Sequence, residues 1–99
     1  MKTKETLTND EVVVADTQFK DVILIQTLNS LYKFAVVEAS KRYGRLRGGA
    51  FRESSVEVCL CVPSLKVGTS ARLFVRSGQT CKFLKTSIIK RLTLIRNAA

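Results

Sequence analysis

Apolar and polar positions alternate along most of this chain. Val56, Val58, Leu60 and Val62 are separated by Glu57, Cys59 and Cys61. Side chains of an extended strand point to its two faces in turn, so the valines and Leu60 are set toward a core and Glu57 toward solvent. Tyr32, Phe34 and Val36 likewise share one face of Leu31–Glu38, with Lys33, Ala35 and Val37 on the other. Ala71, Leu73 and Val75 alternate with Arg72, Phe74 and Arg76. Val22–Thr27, Tyr43–Leu46 and Thr80–Lys85 read as further short strands. Turn chemistry separates these runs at Leu28-Asn29-Ser30, Glu38-Ala39-Ser40-Lys41, Gly48-Gly49, Arg52-Glu53-Ser54-Ser55, Pro63 and Ser77-Gly78-Gln79. The pattern predicts an all-β protein.

Short strands joined by tight turns give either a strongly curled antiparallel meander or a small single-domain barrel, in which closure removes unpaired edges. With glycines near strand ends, this arrangement resembles SH3-like and Sm-like barrels. The likeness is one of architecture, and such folds host many unrelated functions. Two segments depart from the pattern. Residues 1–19 are polar apart from Val12-Val13-Val14. They predict a flexible, mildly acidic arm in front of a basic domain over 20–99, with Val12–Val14 available as an edge strand. In residues 81–96, Cys81, Leu84, Ile88, Leu92 and Ile95 also recur at helical spacing. The β-branched Thr86, Ile88, Ile89, Thr93 and Ile95 favour a strand; a short basic C-terminal helix is the alternative.

Charge changes the picture more than composition does. The 99 residues carry 17 Lys and Arg against 8 Asp and Glu, a net charge of +9. Residues 1–21 hold three lysines and five acids, for −2; residues 22–99 hold fourteen basic residues and three acids, for +11. A compact domain at +11 repels itself, and polyanions are its natural partners. The start of the chain lacks the apolar run of a signal peptide, and the longest aliphatic stretch, Val22–Ile25, is too short to span a bilayer. Three cysteines are an odd number for a disulfide framework. A cytoplasmic protein that does not enter membranes is expected.

Little in the chain points to catalysis or to a cofactor. There is no histidine, the commonest general base and metal ligand. Cys59, Cys61 and Cys81 lack a fourth ligand and the spacing of a zinc site, so they read as half-buried packing thiols. Ser87-Ile88-Ile89-Lys90 has the S-x-x-K spacing of serine acyl enzymes, but their partner motifs are missing. Glu38, Glu53 and Glu57 are the acids after residue 21, and they suit surface ion pairs.

Two basic groups remain. Arg42, Arg45, Arg47 and Arg52 surround Gly44 and Gly48-Gly49, with Tyr43 and Phe51 interleaved. Arg forks clamp phosphate, aromatic faces stack bases and glycines admit backbone amides to an anion. The competing reading makes the glycines a bulge and a turn and puts Phe51 in the core. The second group is Arg72, Phe74 and Arg76 on one strand face, with Lys82 on the next strand. It suits a stacking surface for single strands or an oligomer interface anchored by Phe74. The chain is expected to be a non-catalytic nucleic-acid-binding domain, for RNA or DNA, acting mainly through phosphate contacts. The alternative is a protein-interaction module that docks an acidic partner or self-associates as a homo-oligomer.

Overall fold

A computed structural model describes residues 4–52 and 54–97 of the chain. Nine strands form it: β1 Lys4–Asn9, β2 Glu11–Val13, β3 Val22–Thr27, β4 Leu31–Glu38, β5 Tyr43–Gly48, β6 Val56–Leu60, β7 Ser64–Lys66, β8 Ser70–Ser77 and β9 Thr80–Asn97. Every pairing is antiparallel. The main sheet runs β1-β9-β3-β4-β5-β6-β8, and β8 pairs again with β9; β2 and β7 pair separately.

The predicted faces hold except at Val62: β6 ends at Leu60, and Val62 lies past it, half-buried and outside the core cluster. Tyr32, Phe34 and Val36 of β4 are buried, as are Val58 and Leu60 of β6 and Ala71, Leu73 and Val75 of β8. Val56 is partly buried against them. The chain turns at residues 28–30 as expected, closed by the side chain of the preceding Thr27: its Oγ1 donates to the Ser30 carbonyl at 3.0 Å and accepts from the Ser30 amide at 3.1 Å. Gly78, at φ 62°, opens the two-residue turn between β8 and β9. Pro63 follows the end of β6, and its carbonyl accepts from the Val14 amide at 3.0 Å.

Residues 81–96 form no helix. They belong to β9, an 18-residue strand with two bulges. Opposite β8, Arg72 pairs with Lys85 but Ser70 with Ile88; opposite β3, Gln26 pairs with Arg91 but Thr27 with Ile89. Each step leaves an extra residue in β9, and extra residues bend a strand and increase its twist. The bend lets the first half of β9 pair with β8 and the second half with β3 and β1. Thr86 sits at this bend, accepting from the Ala71 amide at 2.9 Å and donating to the Ser87 carbonyl at 2.8 Å.

The expected arm is likewise corrected. Lys4–Asn9 pairs with β9 over six residues, Glu11–Val13 pairs with β7, and Val12 and Val14 are buried in the core. Residues 1–3 lie outside the described part. Asp21, counted above among the acids of residues 1–21, is also buried. Its carboxylate accepts from the Gln18 amide at 2.9 Å and from the Asn97 amide at 2.8 Å, tying the end of β9 to the turn before β3.

Candidate nucleic-acid interface

Residues directly opposite each other in a sheet share a face, so the register decides which basic residues act together. Tyr43 of β5 lies opposite Cys59 of β6, Cys59 opposite Phe74 of β8, and Phe74 opposite Phe83 of β9. These four residues form one row across the outer face of four adjacent strands. Phe74 and Phe83 meet edge to face at 5.8 Å between ring centroids, yet remain 47% and 56% exposed. Large aromatic rings on a strand are normally turned inward; these two project from the face opposite the core.

Cations flank the row. On one side, Arg72 lies opposite Lys85. On the other, Arg45 lies opposite Glu57, and Glu57 reaches Arg76 at 3.9 Å. Farther along the same face, Arg47 lies opposite Lys33. Thus Arg45, Arg47, Arg72, Phe74 and Arg76, read from two separate stretches of sequence, stand on one continuous surface. Among the described residues, Lys33, Arg47, Arg72 and Lys85 are exposed and none forms an ion pair. Like charges directly opposite one another are unfavourable, and this face carries two such pairs.

Three predicted residues stand elsewhere. Lys82 lies opposite Val75, on the core-side parity of β9, and is exposed only because it is near the hairpin end. Adjacent strand residues point to opposite faces, so Phe83 and Lys85 occupy the positions that Lys82 was expected to share. Arg42 caps the turn before β5 in left-handed conformation, φ 55°, with its carbonyl bound by the Leu60 amide at 2.9 Å. Arg52 sits in the loop after β5, and its carbonyl accepts from the Gly48 amide at 2.9 Å. That amide is therefore engaged by the chain itself. A Cβ on Gly48 would lie 2.2 Å from the Leu31 carbonyl oxygen, so close backbone approach explains the glycine. Phe51 packs partly buried against the core. Glu53 lies outside the described residues.

The cysteines are more open than their pattern implied. All are free thiols; Cys59 and Cys81 are exposed and Cys61 is half-buried. Outward parity accounts for the exposure of Cys59, opposite Phe74, and of Cys81, opposite Arg76; Cys61 lies just past the end of β6. Phe83 is hidden in the sequence beside the more conspicuous charge of Lys82; alternation carried across the hairpin from Phe74 points to it.

Glu57 is the carboxylate in the middle of this face. It holds the Tyr43 phenol above the usual tyrosine pKa, first by accepting its hydrogen bond, then with help from desolvation and from its charge; Arg45 and Arg76 pull the other way. The sign is that of a protonated form favoured by folding. Stability from this contact is present below the ordinary tyrosine value and is lost as pH rises through the higher folded value. Phenolate absorbance should therefore place one tyrosine above its ordinary range. Glu57→Gln should bring it down, and Tyr43→Phe should remove it. Identical phenolate titrations in wild type and Glu57→Gln would contradict the contact.

Comparison with family models, with curated proteins and with solved structures gives no match to this chain.

Proposed function

We propose that this protein binds single-stranded nucleic acid on the outer face of β5, β6, β8 and β9, without catalysis. Bases stack on the Phe74–Phe83 pair, and phosphates lie along Arg72, Lys85, Arg45, Arg47 and Lys33. The observation that carries the reading is the exposed aromatic pair beside a cross-strand cation pair that has no carboxylate partner among the described residues. Every base offers a π-face, so stacking tolerates sequence, while the cations follow the backbone. Duplex DNA buries those faces in its own stack, which disfavours it here. In the same reading the circuit β9-β3-β4-β5-β6-β8-β9 is a small closed barrel, and closure makes the face rigid. The likeness to SH3-like and Sm-like barrels adds nothing to the ligand. A reducing, cytoplasmic setting suits three free thiols, two of them exposed.

The test is a titration of labelled oligonucleotides at about 50 mM salt. Phe74→Ala and Phe83→Ala should each weaken single-strand binding by about 1–3 kcal/mol, with little change on duplex. Absence of binding to any single strand at micromolar protein would overturn the proposal. The aromatic pair would then fit an interface with an acidic protein or a second copy, and Phe74→Ala should alter sedimentation instead.

A further inference from the structure

A second feature begins where the aromatic face ends. A cleft of about 540 Å³ opens beside the β8–β9 pair, within the volume range of small-ligand sites. Arg72 and Lys85 form its border with the stacking face, and Lys66 of β7 stands within it. Val62, Pro63 and Ile88 supply apolar wall, and Ile88 is 40% exposed there. Ser64, Thr69 and Ser70 add hydroxyls. Among the described residues no carboxylate lines the cleft and neither Lys66, Arg72 nor Lys85 forms an ion pair; Glu11, opposite Lys66 in the β2–β7 pair, accepts from the Ser64 hydroxyl at 2.9 Å.

Three cations, hydroxyls and an apolar wall describe a ligand with a flat ring and an anionic group. We infer that this cleft takes one nucleotide unit, its phosphate between Lys66, Arg72 and Lys85 and its ring against Val62, Pro63 and Ile88. An anion placed between Arg72 and Lys85 converts their mutual repulsion into two attractions. The inference rests on the single-strand reading for the source of the nucleotide. A strand whose bases lie on Phe74 and Phe83 crosses the Arg72–Lys85 pair on its way into the cleft. The same chemistry is offered by a free mononucleotide, and the experiment separates the two sources. Gly68, at φ 93°, turns the chain just before Thr69 and Ser70 of the lining.

The experiment measures oligouridylates from about two to about ten nucleotides, spanning the site sizes usual for small β domains, and uridine 5′-monophosphate against uridine. Amide resonances of Gly68, Thr69 and Ser70 are followed with the monophosphate. Lys66→Gln changes a cation that belongs to the cleft and not to the stacking face, and Ile88→Glu places a negative charge in it. Both positions are exposed, so folding is preserved. Expected is that both variants weaken the longer strands several-fold and leave the shortest unchanged. Lys66→Gln should also reduce the salt slope by about 0.7, the value of one single-strand phosphate contact. If both variants match wild type at every length while Phe74→Ala still weakens binding, the cleft assignment is overturned and the stacking reading stands. If no strand binds at any length, the stacking reading falls. The cleft then stands as a site for free nucleotide only if the monophosphate, and not uridine, shifts the Gly68–Ser70 amides in wild type but not in Lys66→Gln. Without that shift, both fall.

Discussion

Truncating Phe34 to alanine should destabilise the protein by about 3–5 kcal/mol. Phe34 is fully buried at the centre of β4, between Ile23 of β3 and Leu46 of β5. Its ring fills space left by Gly44, where a Cβ would come within 2.7 Å of it and within 2.4 Å of the Ala35 carbonyl oxygen. Removing the ring leaves a void that neighbouring backbone, held in three paired strands, cannot close. A protein of this length has a total stability of about 5–15 kcal/mol. The loss is therefore about a fifth of that or more, and the urea midpoint should fall accordingly. Gly44→Ala should also destabilise, and Phe34→Ala should not rescue it, because the contact with the Ala35 carbonyl remains. A Phe34→Ala change below about 1 kcal/mol would be incompatible with this core.

Reversing one charge on the outer face should separate stability from binding. Arg72→Glu replaces a like-charge pair with Lys85 by an opposite-charge pair, and such cross-strand pairs contribute about 0.2–1 kcal/mol. The variant should be as stable as wild type or slightly more stable. Its affinity for single strands should fall by on the order of tenfold to a hundredfold at about 0.05 M salt, because two charge units leave the phosphate path. The difference should shrink as salt rises. Equal affinity in both proteins at low salt, with the fold intact by circular dichroism, would remove Arg72 from the interface. A large loss of stability would show instead that Arg72 is held in place by contacts within the fold.

The alternation in β4, β6 and β8 was legible because each strand buries one face and keeps a regular period. A slip of one residue would expose Phe34 or Leu73, so burial and sequence agree. β9 was ambiguous for a physical reason. Its inward positions are Leu84, Thr86, Ile89, Leu92 and Leu94, spaced by two, three, three and two. Each bulge lengthens one step from two to three and interrupts the strand period, which leaves the helical recurrence of Cys81, Leu84, Ile88, Leu92 and Ile95 unopposed, although of these Leu84 and Leu92 alone belong to the inward set. Nothing in residues 81–96 alone reveals bulges that exist only against β3 and β8. The first nineteen residues misled for a related reason. Their polarity is that of an arm, but β1 is held by backbone hydrogen bonds to β9, which require no apolar side chains.

The candidate site divides in the same way. Arg72, Phe74 and Arg76 share a face by local alternation, which the sequence determines without help from the rest of the fold. So does the pairing of Arg45 with Arg47, and so does the large positive charge after residue 21. Tertiary structure decided that these two stretches adjoin through Glu57, that Phe83 rather than Lys82 faces Phe74, and that Lys66 joins Arg72 and Lys85 around one cleft. It also decided that Asp21 belongs to the interior. Alternation within a strand follows from bond geometry that any stretch of chain carries with it. Which strands lie side by side, and in what register, follows from burying every apolar face at once, and that is a property of the whole chain.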